Sequence, residues 1–145
     1  MQNTLISLSQ AVSLKEAGLV WRANLYDFFS IPDRGLDDRV FVIADVMATL
    51  DVFRGWPVVT FHGTAEWASD YVFSHEVVWI PTEGQLRQEL GALLDKEAAN
   101  GLTLRQLAAE YTCEIQLYGT SYTFSGATAA AAYADALLYL LRKQI

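Results

Sequence analysis

From Tyr111 to Ser125 the chain alternates between apolar and polar positions. Tyr111, Cys113, Ile115 and Leu117 fall on one face, and Thr112, Glu114 and Gln116 on the other. That period of two predicts a half-buried strand. Gly119-Thr120 can turn the chain, and Ser121–Ser125 can return as a second, shorter strand. Gly126 breaks the pattern, and Thr128 caps a helix running to about Lys143. Ala130, Tyr133, Ala134, Leu137, Leu138 and Leu141 make its apolar stripe. Its alanine-rich start is thin enough to lie close on a sheet, and Arg142 and Lys143 suit the negative end of the helix dipole.

Earlier in the chain, Ser7 to Gln10 reads as a capping box, with Ser7 as cap and Gln10 reaching back. A helix of about ten residues follows and ends at Gly18. Leu19–Phe29 reads as extended, and Ile31–Asp38 as a loop. Arg39–Val46 predicts a strand covered on both faces, because Val40 to Ile43 are all apolar. Met47–Phe53 fits either a strand or a short helix. Gly55-Trp56-Pro57 punctuates the chain, and Val58–Phe61 is a strand. A short helix is expected from Ala65 to about Val72, then a strand from Glu76 to Ile80. Thr82 and Gln85 form the clearest helix start, with Leu86, Leu90, Leu93 and Leu94 as its buried stripe and Asn100-Gly101 as its stop. Thr103 to Gln106 reads as a further capping box opening a short helix.

Mixed short strands and helices with tight connections indicate one α+β domain spanning residues 1–145. It is mainly antiparallel sheet with helices packed on it, ending in a C-terminal helix. The 145 residues are 52% apolar and 19% charged, enough to bury a core without metal or disulfide. The apolar share leaves surface to spare for a partner. The formal charge of −7 disfavours nucleic acid and anionic membranes as partners. Cys113 is the only cysteine, so no intrachain disulfide or multi-cysteine metal site is possible, and a cytoplasmic setting is expected. Its place on an apolar strand face makes it a buried, inert thiol. The first residues lack a signal-peptide pattern, and no run reaches the length of a membrane span.

The chemical motifs are incomplete. His75-Glu76 opens like a zinc-protease motif, but Trp79 stands where the second histidine belongs. Gly119-Thr120-Ser121 resembles a nucleophile elbow, but Thr123 replaces its second glycine. Asp33, Asp37 and Asp38 lack the spacing of a calcium loop. Leu102–Glu110 could be the first helix of a helix-turn-helix, yet the following residues alternate as a strand and carry no cation before Arg142. One group of residues is left as a candidate site. Trp56 and Trp67 bracket His62, and Glu66 and Asp70 lie one and two helical turns beyond it. Together Trp56, His62, Glu66, Trp67 and Asp70 could line a pocket for a small molecule, or serve an enzyme. The plainer reading makes the tryptophans core and the acids a solvated face. No catalytic residue, metal ligand or cofactor is assigned.

The segments Gly55–Gly63, Glu66-Trp67, Glu76–Glu83 and Gln85–Arg87, with Ser9–Ala11, Leu14–Leu19 and Ile31–Gly35, resemble a set of small bacterial proteins of no established function. Some of these carry a pilus-assembly, CpaE-like ATPase label. This chain has no glycine-rich phosphate loop with lysine and is too short for that fold. The resemblance therefore implies only a compact bacterial domain, and no activity or site residue is carried over from it. The expected function is a protein-interaction or accessory module, with another protein or a second copy as partner. A small-molecule binder or enzyme near His62, Glu66 and Trp67 is the alternative, and a DNA-binding regulator comes third.

Overall fold

The computed structural model describes residues 4–32, 39–44, 48–61, 71–96 and 101–143. Its contacts divide the chain into two compact units, Val20–Ile80 and a second formed by Met1–Leu19 with Pro81–Ile145. The chain is α+β, every strand pairing among the described residues is antiparallel, and a C-terminal helix follows the last strand. The described strands form three three-stranded sheets rather than one.

The Val20–Ile80 unit holds β1 (Phe28–Ser30), β2 (Phe41–Val42), β3 (Ala48–Phe53), β4 (Trp56–Phe61), β5 (Tyr71–Phe73) and β6 (Val78–Ile80). They pair as β2-β1-β6 and β3-β4-β5. Phe29, Ile31, Ile43, Val59 and Val77 form a buried cluster, with Trp21 and Phe41 packed on it. Trp21 and Phe41 both stack on Phe29, at 5.8 and 5.5 Å.

Four expectations for this segment need correction. Leu19–Phe29 becomes strand only at its end. Before that, Asp27 folds the chain on itself, accepting from the Asn24 amide and the Trp21 indole, both at 2.9 Å. Of Arg39–Val46, residues 39–44 are described and hold only the two-residue β2, and Val40 and Val42 are exposed. Four apolar residues in a row did not mean two covered faces; only Phe41 and Ile43 turn to the core. Tyr71 and Val72 belong to β5, not to a helix, because their backbone pairs with Thr60 and Val59. The rest of that predicted helix lies outside the described residues. Glu76 sits in a 3-10 turn, Ser74–Glu76, before β6 begins. The undecided Met47–Phe53 is β3 from Ala48 onward.

The other unit contains α1 (Leu8–Glu16), α2 (Glu83–Lys96), β7 (Gly101–Leu107), β8 (Glu110–Leu117), β9 (Thr120–Gly126) and α3 (Ala129–Lys143). Its strands form the meander β7-β8-β9. Cys113, Ile115 and Leu117 are buried on one face, where α3 packs across β8 and β9. The other face is polar, with Thr112 and Ser125 sharing a hydrogen bond and Arg105 3.8 Å from Glu114. α1 and α2 both pack on α3.

The caps follow the sequence closely. Thr82 Oγ1 accepts from the Gln85 amide, and Gln85 Oε1 accepts from the Thr82 amide, closing the box. Thr128 Oγ1 accepts from the Ala131 amide. Gly18, at φ +107°, ends α1, with the Leu19 amide bonded back to Leu14 and the Gly18 amide to Lys15.

Several details differ. Ser7 caps α1 through the Gln10 amide, but the Gln10 side chain does not reach back. It donates instead to Asp135 Oδ1 and the Ala131 carbonyl on α3. Thr103 to Gln106 is strand, not a capping box, because β7 pairs with β8 over its full length. α2 is described to Lys96, and Gly101 opens β7. Leu93 is only half-buried. On α3 the fully buried leucines are Leu137 and Leu140, while Leu138 and Leu141 are half-buried. Alanine lets α3 approach the sheet so closely that its buried arc is wider than a stripe.

The β3–β4, β7–β8 and β8–β9 turns have two residues each. Arg54-Gly55 and Tyr118-Gly119 have φ positive at both positions, whereas Ala108-Ala109 has it only at the first. These are the turns whose twist matches that of the strands they join. The Gly119 turn therefore falls one residue earlier than Gly119-Thr120, since the second position is the one glycine fills.

Candidate functional site

Of the five residues in the candidate site, only Trp56 is described; His62, Glu66, Trp67 and Asp70 lie outside the described residues. Trp56 opens β4, directly across from Phe53 on β3. Adjacent strand partners put their side chains on the same face. Val58, two residues on, shares that face and pairs with Phe73 on β5. Phe73 stacks on His75 at 5.4 Å, and Trp56 meets His75 edge-on at 6.3 Å. The Arg54 guanidinium lies 5.2 Å over the Phe53 ring. The result is an aromatic row of Phe53, Trp56, His75 and Phe73, with a cation at its tip.

At the base of the hairpin both faces are covered, since Val58 and Val59 are buried. From Asp51 to Pro57 every residue is exposed. Val52 is 72% exposed, Trp56 59% and Phe53 38%. Large apolar side chains so open to water mark contact sites when they cluster. Phe53 and Phe73 were not anticipated, and His75 was singled out only for metal chemistry. Their clue was the register of β3, β4 and β5, which Gly55-Trp56-Pro57 obscured by looking like a loop.

Acid–base or nucleophilic chemistry finds less support. Burial pushes the Cys113 thiol from its ordinary 9.0 to about 11, which suppresses the reactive thiolate. Asp27 is buried, but its carboxylate is engaged by Trp21 and Asn24. Ser30 Oγ and Trp79 Nε1 are buried without a hydrogen-bond partner. They lie on opposite faces of one sheet, since Trp79 pairs with the neighbouring Phe29, so they cannot act together. Among the described residues no three His, Cys, Asp or Glu side chains are grouped to hold a metal, and no helix is long and apolar enough to cross a membrane.

No protein-family model, curated protein sequence or solved structure matches the chain.

Proposed function

We propose that this chain is a protein-interaction module, and that the β3–β4 hairpin tip is its contact surface. One observation carries the reading: Phe53 and Trp56 are exposed together on one face at the end of a ribbon whose base is buried, with Val52 exposed on the other face. Tryptophan and arginine are the residue types most enriched among the few that dominate binding energy. The tip offers both, with Trp56 as a rigid anchor and Arg54 held on the Phe53 ring. A fitting partner presents an apolar pocket for Trp56, with a carboxylate at its rim for Arg54.

A photo-crosslinking amino acid at position 56 tests this in cells that make the protein. The expected result is a discrete protein adduct that disappears when Phe53→Ser is added. Leu107, 82% exposed on the other unit, is the control position and should give no such adduct. No adduct at 56, or the same products at 56 and 107, would refute the reading.

A further inference from the structure

A second surface lies on the other unit, independent of the hairpin tip. β9 is an edge strand; among the described residues nothing pairs with its outer side. Its sequence, Thr120-Ser-Tyr-Thr-Phe-Ser-Gly126, contains no charge and no proline. Natural edge strands usually carry such features to prevent pairing. β7, the opposite edge, does carry a cation, Arg105.

Beside β9 runs a shallow groove of about 560 Å³, lined by Phe124 and by Asp135, Leu138, Tyr139, Arg142 and Lys143 of α3. Asp135, Leu138, Tyr139 and Arg142 stand at i, i+3, i+4 and i+7, the spacing of one helical stripe. That stripe reads acid, apolar, apolar, base. Reversed end to end about its midpoint, it sets each acid opposite a base. A helix with this pattern is complementary to an antiparallel copy of itself.

The strand and the helix share one centre. The Tyr139 ring lies 5.2 Å from Tyr122 and 5.6 Å from Phe124, so the middle of the stripe sits beside Thr123, the middle of β9. One two-fold axis, perpendicular to the sheet and passing outside Thr123, therefore serves both elements. The spacing also agrees. α3 lies across β8 and β9, which sets it about 5 Å from an axis at the edge of β9. Two such helices are then roughly 10 Å apart, a normal packing distance.

We infer that this chain forms a two-fold homodimer in which β9 pairs antiparallel with β9 of a second copy. The two meanders become one sheet of six strands, three from each copy. The two α3 helices lie antiparallel on one face of that sheet. Leu138 and Tyr139 cover each other's grooves, and Asp135 of each copy meets Arg142 of the other.

Sedimentation equilibrium over a range of concentrations, with the intact chain, tests the dimer. The expected mass moves from 16.1 kDa toward twice that value as concentration rises. Thr123→Lys puts two cations opposite each other across the axis, on the exposed polar face, and should hold the protein as a folded monomer. Thr123→Cys should form an intermolecular disulfide on mild oxidation, because residues opposed at such an axis lie within disulfide reach. Thr103→Cys on β7 should not, and the native Cys113 is buried. Arg142→Glu should weaken the dimer, and adding Asp135→Arg should restore it. A monomer up to high micromolar concentration overturns the inference. So does a dimer that tolerates Thr123→Lys, or one that crosslinks equally through position 103.

Discussion

A Cβ placed on Gly126 would lie 2.9 Å from the Cβ of Ala131 and 3.0 Å from the Ala132 amide nitrogen. The end of β9 and the first turn of α3 thus approach more closely than any side chain permits. Gly126→Ala should destabilise the fold by about 1–3 kcal/mol, the usual cost of forcing extra atoms into a packed site. Gly91, in the middle of α2, has nothing within 4 Å of the corresponding position. There the same substitution should stabilise by about 1 kcal/mol through helix propensity. Denaturant unfolding of both variants checks the pair. Equal signs would mean that the close approach at Gly126 is not real.

Ala108 holds a positive φ of 56° at the first position of the β7–β8 turn. That position favours glycine, since a Cβ is strained there. Ala108→Gly should therefore raise the melting temperature, by up to about 1 kcal/mol of stability. A thermal melt that falls instead would show that the turn has a different shape.

Ser30 Oγ is buried and unpartnered. A hydroxyl taken from water without a replacement bond costs roughly 1–3 kcal/mol. Ser30→Ala removes that cost at little change in volume, so it should leave stability unchanged or improve it. A clear loss of stability in chemical denaturation would reveal a hidden partner for the hydroxyl.

Burial raises the Cys113 thiol to about 11, above its ordinary 9.0. The unfolded chain therefore releases this proton first as pH rises. Its contribution to stability is full below pH 9.0 and is lost progressively as pH climbs through about 11. Tyr133 is also raised, by burial first and by Cys113 second, and acts in the same direction. Unfolding free energy should fall across this alkaline range, and Cys113→Ala should fall less steeply. An unchanged slope would count against the burial argument. Thiol reagents should label Cys113 slowly until the protein unfolds.

Local signals were legible where the chain itself supplies both partners of an interaction. Thr82 with Gln85, and Thr128 with the Ala131 amide, are three residues apart, so their bonds could be read from sequence. The alternation from Tyr111 to Leu117 was equally plain, because one face of β8 is buried and the other wet. Thr103 to Gln106 satisfied the same capping rule and still became strand. Its fate was decided by β8, which offers Glu114 through Tyr111 as backbone partners. Gln10 failed as a reciprocal cap for a similar reason: Asp135 lies 125 positions away. The hairpin tip was half visible. Trp56 could be singled out, but its aromatic neighbours Phe53, Phe73 and His75 are brought to it only by strand register.

The unit that contains α1 is interrupted in sequence by the whole of the other unit. On the ribosome, α1 emerges well before the helix it docks on, which is made only after residue 128. Until then the apolar side of α1, with Ala11 and Leu14, has no native surface to meet. Residues 20–80 can complete their own pairings in the meantime. Closing so long a loop is slow compared with joining a hairpin. The interval before α3 appears is thus when the nascent chain is most exposed to aggregation, and a chaperone holding α1 would act in that window.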